Sequence, residues 1–268
     1  MREDIGIVLK SQAFKERDKL VTILTENAGK ITGIAKGAIH SKRFGGSLDL
    51  FSCSTIRYKE SQGSDLVRID EANTKRDFLQ LRNSLENMSA AGYFVDLCHR
   101  MTEDHQNVRE IFLLLAHYLF LLEEKQASAE IVRSFEIKLL DRLGYGPVLD
   151  ECVGCGTELL DAEDNPYSTV VIERGGFLCK NCSNSSAVRI PTSTLQWLQK
   201  ARECLIVQTP DLQFPLETTN EGAQVLQAFL RYHCPGLSQY SFRSHTLLER
   251  FLEEAKIQST AALKSSAT

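Results

Sequence analysis

The sequence predicts a multi-domain α+β chain with an N-terminal OB-type β-barrel, an α-helical bundle and a four-cysteine zinc hairpin module. Three observations predict it. Five short strand-like runs, punctuated by glycine and asparagine, crowd into residues 1–73. Apolar residues recur at helical spacing in residues 74–149 and again in 188–257. Between those stretches stand two C-x2-C knuckles, Cys152/Cys155 and Cys179/Cys182, with 23 residues between them.

The first strand is read at Gly6–Phe14 and the second at Lys19–Thr25. Glu26 to Lys30 makes the turn into the third, Lys30–Gly37, whose glycines suit a bent barrel corner. Cys53–Tyr58 and Leu66–Ile69 complete the set. Closing five short strands removes the exposed edges of an open sheet, and an OB barrel does this. Periodicity alone leaves an SH3-like barrel open as the alternative.

The loop after the third strand carries Lys36, His40, Lys42 and Arg43 together with Phe44 on glycine-containing backbone. Basic groups on mobile backbone track a phosphate chain, and an aromatic ring stacks on a base. These five residues are expected DNA contacts. Lys10, Lys15, Arg17 and Lys19 form a second basic cluster, interrupted by Glu16 and Asp18, and Lys10, Arg17 and Lys19 are further expected DNA contacts.

Residues 74–149 read as the first part of the helical domain. Thr74 is taken as the cap of a helix carrying Phe78, Leu81 and Leu85. A second helix over about 107–125 is apolar on nearly every side, so it belongs inside a bundle. A third covers about 127–143 and ends at Gly144.

Residues 150–187 form the metal module. Four thiolates close a tetrahedral shell around zinc, and a closed shell leaves no open position for a substrate. One structural Zn2+ on Cys152, Cys155, Cys179 and Cys182 is therefore expected, ahead of two disulfides or free thiols. Cys53, Cys98, Cys204 and Cys234 read as small buried hydrophobes. Residues 188–257 supply the second part of the helical domain, with helices near 195–205, 218–234 and 244–257, and 258–268 is a flexible tail.

The chain has 268 residues, 43% hydrophobic and 25% charged, with a net charge of −4. That balance argues against a generally basic nucleic-acid coat. Residues 1–45 nevertheless hold nine Lys or Arg against five Asp or Glu, so a polyanion site should draw on the N-terminal module. The longest apolar run, Ile111 to Leu122, is too short to span a bilayer, and no membrane association is expected. Knuckles rather than disulfides fit a reducing cytoplasm. No P-loop, dinucleotide fingerprint, nucleophile elbow or paired-carboxylate constellation appears, so no enzyme is predicted.

Taken in order, several segments resemble the RecO family of bacterial DNA repair and recombination mediators. They are Gly6-Ile7-Val8-Leu9, Glu16 to Val21, Leu24 to Lys30, Ala35-Lys36-Gly37-Ala38, Phe135 to Leu140, Leu143 to Pro147, Leu149 to Gly156 and Gly175 to Cys182. Phe242-Arg243-Ser244-His245 also fits, and the likeness covers roughly residues 1–255. The resemblance implies binding to single- and double-stranded DNA and annealing of complementary strands. It also implies loading of recombinase, with RecR, onto single strands coated by single-strand-binding protein, in a cytoplasmic, nucleoid-associated setting. An acidic, phenylalanine-ended tail of the coat protein would need an apolar pocket with a basic rim, for which Arg133 and Lys138 are the guess. Ile39 and His40 occupy part of a loop that is richer in basic residues elsewhere in the family. The competing reading is a zinc-stabilised protein–protein adapter without annealing activity.

Overall fold

In the computed structural model the described residues are 1–61, 63–104, 106, 108–160, 164–183, 188–212, 219–233, 245–252 and 254. They fall into two compact units, Met1–Gln126 and Ala127–Thr268.

The first unit opens with five strands: β1 (Arg2–Phe14), β2 (Asp18–Thr25), β3 (Lys30–Ala35), β4 (Cys53–Ser61) and β5 (Ser64–Arg76). They close in the order β1-β2-β3-β5-β4, with β4 returning to β1. The closing pair, β3 with β5, is parallel and sets Gly33 opposite Val67. This is an OB-like barrel. Gly33 permits the closure, because a Cβ there would lie 2.6 Å from Val67 Cγ2 and 2.9 Å from Val67 O. Inward residues alternate along each strand, and Val8, Val21, Ile23, Ile31, Ile56, Val67 and Ile69 fill the interior. At one mouth the Asp4 carboxylate accepts the Asn27 and Ala28 backbone N–H groups at 3.1 and 2.9 Å, and so fixes the β2–β3 turn.

The structure differs from the sequence reading after β5. No helix starts at Thr74, because Thr74 and Arg76 still pair with Ser54 and Cys53 of β4. Phe78 then adopts a left-handed φ of 50° and a 3-10 turn covers Leu79–Asn83. The helix proper, α1 (Leu85–Met101), is capped by Ser84, whose Oγ accepts the Asn87 N–H at 3.1 Å. Helix α2 (Arg109–Glu124) lies against α1 with Ile111, Phe112, Leu115, Leu119 and Leu122 buried. Lys30, 8% exposed, ties the barrel to these helices. Its Nζ donates to His99 O at 2.8 Å and to Thr102 O, capping carbonyls at the end of α1.

In the second unit α3 (Ala129–Arg142), α4 (Thr192–Glu203) and α5 (Thr219–His233) pack on one another as a helical bundle. Residues 131–140 of α3 are all buried, so this is the central helix. Strands β6 (Tyr167–Val171), β7 (Gly176–Leu178) and β8 (Val188–Pro191) form an antiparallel sheet in the order β7-β6-β8. The helix expected at 244–257 is described over 245–252. Cys234 and the tail 258–268 lie outside the described residues. No helix among the described residues is long and apolar enough to cross a membrane.

Candidate metal centre and nucleic-acid interface

The two knuckles meet because the chain leading into the first runs along β7. Val148 N–H donates to Gly175 O at 2.9 Å, Phe177 N–H to Val148 O at 2.8 Å, and Val153 N–H to Phe177 O at 2.9 Å. Gly176 allows this approach, since a Cβ there would sit 2.2 Å from Val148 O. Both knuckles then take the same turn. Cys155 and Gly156 donate to Cys152 O at 3.3 and 2.8 Å, while Cys182 and Ser183 donate to Cys179 O at 3.0 and 2.9 Å.

All four Sγ atoms lie within 4.8 Å of one another, and Cys155 Sγ is 3.6 Å from Cys179 Sγ. A tetrahedron of sulfurs about 2.3 Å from zinc has edges of about 3.8 Å. Backbone N–H groups of Gly154 and Cys179 point at Cys152 Sγ from 3.4 and 3.3 Å and favour its thiolate. Hydrogen bonding from Thr157 pulls the Cys155 thiol down to about 6, whereas the Cys155 thiol beside it pushes Cys182 up to about 12. The sulfurs thus divide protons among themselves, and a divalent cation is what allows all four to ionise together. The tetrad fits a metal ion. Cys98 is buried, and Cys53 and Cys204 are half-buried, apart from this group.

At the other mouth of the barrel, the β1–β2 turn and the β3–β4 loop are joined. Ile39 N–H donates to Arg17 O at 3.0 Å, and Gly37 N–H to Asp18 Oδ1 at 2.8 Å. Lys36, His40, Lys42 and Arg43 on the loop, and Lys15 and Arg17 on the turn, are all exposed. The turn therefore brings Lys15 and Arg17 beside the first part of the loop, which carries Lys36 and His40, while the Arg43 charge reaches Glu71 of β5. Asp18, read from sequence as an interruption of the second cluster, is one of the clamps; its place at the start of β2, directly after the turn, was the available signal. Lys19 is held by Asp49 at 2.9 Å, so its charge is countered. Lys10 is exposed on β1 opposite Thr22, in the body of the strand.

The loop differs from the expectation in two ways. It is an ordered plug, because Ala38, Phe44 and Leu48 enter the barrel core. Serines pin its backbone: Ser52 Oγ donates to Gly46 O at 2.9 Å, Ser54 Oγ to Ser47 O at 2.8 Å, and Ser47 Oγ to Phe44 O. Phe44 itself is 2% exposed, with the Arg43 guanidinium over its ring at 4.6 Å, so it offers no face to a base.

Arg133 and Lys138 also need correction as a pocket rim. Both point into the bundle, at 1% and 3% exposure. Arg133 Nη1 donates to Glu136 Oε2 at 2.6 Å and its Nη2 pairs with Glu249, while Gln227 Nε2 donates to Glu136 Oε1 at 2.8 Å. Lys138 Nζ donates to the carbonyls of Arg202 and Cys204 at 2.6 and 2.7 Å. They satisfy buried acceptors because α3 is enclosed on every side.

Residues 1–78 match the family model described as "Recombination protein O N terminal", and residues 82–260 match "Recombination protein O C terminal". The chain is 33% identical to the DNA repair protein RecO of Syntrophus aciditrophicus, over 84% of this chain and 88% of that one. It is 32% identical to that of Anaeromyxobacter dehalogenans, over 85% and 89%, and 32% identical to that of Myxococcus xanthus, over 86% and 91%. With both halves matched in order and nearly the full length shared, the chain belongs to the RecO family of DNA repair and recombination proteins.

Proposed function

We propose that this protein binds single- and double-stranded DNA through the cationic mouth of its barrel and anneals complementary strands. With RecR it then helps load recombinase onto single strands coated by single-strand-binding protein. The observation that carries the reading is the junction of the β1–β2 turn, with exposed Lys15 and Arg17, to the β3–β4 loop, with exposed Lys36, His40, Lys42 and Arg43. Such a surface screens phosphate repulsion between two strands, and its affinity falls steeply with salt. Base pairing supplies the downhill free energy, so annealing needs no bond-making step by the protein.

In this reading one zinc ion sits in the Cys152–Cys155–Cys179–Cys182 tetrad as a structural clamp, because four sulfurs complete its shell. The test is a titration of labelled single- and double-stranded DNA across ionic strengths, with and without the coat protein, followed by an annealing assay. Salt-dependent binding with faster annealing is expected. Salt-independent binding, or none, would leave only the adapter reading.

A further inference from the structure

We propose that the barrel mouth holds a DNA strand by its phosphates alone, with the bases turned outward and their pairing edges free. This rests on the DNA-binding reading above and specifies which part of the polymer the site takes. Residues 1–126 contain ten Phe and Tyr side chains. Eight of them, Phe44 included, are no more than 5% exposed. Of the other two, Phe14 is half-buried and has the Lys15 ammonium over its ring at 5.4 Å. Phe120, 40% exposed on α2, has the Arg76 guanidinium over its ring at 4.4 Å. On each ring a cation already occupies one face.

The mouth instead presents mainly charge: its rings are the exposed imidazole of His40 and the half-buried Phe14 under Lys15. Its large apolar side chains in contact with solvent are the aliphatic Ile39 and Leu50, at 36% and 40% exposure. Neither has a π-face on which a base can stack. Serine hydroxyls fix the carbonyls of Phe44, Gly46 and Ser47 and so hold Phe44 in the core beside the exposed Lys42 and Arg43. Single-strand binders that stack bases hold those bases against aromatic rings. A surface that grips only sugar-phosphate leaves each base available to a complementary strand, which is what an annealing protein requires.

The experiment compares two labelled strands of equal length by fluorescence anisotropy, one of ordinary nucleotides and one built of abasic deoxyribose phosphates. The inference expects dissociation constants within about two-fold of each other and parallel salt dependences. Loss of stacking would weaken the abasic strand on the order of ten-fold per base released, so a weakening of that size overturns the inference. Binding of neither strand would overturn the DNA reading and this inference with it. A Lys36→Gln/Lys42→Gln/Arg43→Gln variant should weaken both strands by the same factor. Selective weakening of the ordinary strand would instead place base contacts at this mouth and overturn the inference.

Discussion

Arg133 illustrates how far a single charged residue can stand from the role its type suggests. It lies in the bundle at 1% exposure, between Glu136, which is fully buried, and Glu249. Removing the guanidinium leaves the Glu136 carboxylate in the interior with only Gln227 among these partners, and an uncompensated buried charge costs about 3–5 kcal/mol. Arg133→Met should lower the urea midpoint accordingly, and a double variant with Glu136→Leu should recover much of the loss. Glu249 adds a pH signature. Burial alone would raise its pKa, but the His245 imidazole, 3.2 Å away, and the Arg133 charge outweigh it and hold the carboxyl at about 2, against an ordinary 4.5. A folded pKa below the unfolded one gives stability that is fully present above the ordinary value and is lost as pH falls toward about 2. With partial exposure discounted, this is on the order of 2 kcal/mol at neutral pH. Glu249→Gln should therefore be less stable than wild type at pH 7, and the gap should close as urea melts are repeated at successively lower pH.

At the scale of the element, the β3–β4 loop and the knuckle hairpin make opposite lessons in legibility. The knuckles are readable because metal geometry demands four sulfurs at short, fixed spacing, and the chain has few other ways to use Cys152, Cys155, Cys179 and Cys182. The barrel strands are readable because alternation fixes which side chains turn inward. The plug is not, since Ala38, Phe44 and Leu48 enter the core with no period, on a glycine-rich stretch that reads as mobile. The end of β5 is hidden for another reason. Thr74-Lys75-Arg76 has no apolar alternation and is held by a ladder to β4, so Thr74 resembles a helix cap while Ser84 is the cap. α3 misleads because a charged side chain in a helix is read as exposed, whereas Arg133 and Lys138 answer buried acceptors. Two measurements follow. Phe44→Ala should destabilise the protein by about 3 kcal/mol in chemical denaturation, while Arg43→Ala changes stability little and DNA affinity more. Cys152→Ser should abolish metal binding by the tetrad, read by metal analysis, and lower the melting temperature, with single-strand affinity little changed.

For the whole molecule the governing number is a net charge of −4, which opposes approach to DNA. Any affinity must then be local, and a matched pair of triple variants separates local from global electrostatics. Lys36→Gln, Lys42→Gln and Arg43→Gln remove three cations from the mouth. Arg57→Gln, Lys59→Gln and Arg68→Gln remove three from the wall of β4 and β5, where Glu3 and Glu71 face Arg57 and Asp70 faces Lys59 and Arg68. Both changes take the net charge from −4 to −7, so long-range repulsion rises equally in the two proteins. At physiological salt that repulsion is screened beyond about 8 Å, and only cations in contact with phosphate register in the salt dependence. Each phosphate contact on a single strand contributes about 0.7 to the slope of log affinity against log salt. The mouth variant should therefore bind more weakly with a slope shallower by about 2, while the wall variant keeps the slope of the parent. Equal slopes in the two variants would mean that the barrel attracts DNA through its overall field, and the assignment of the mouth as the contact surface would fall.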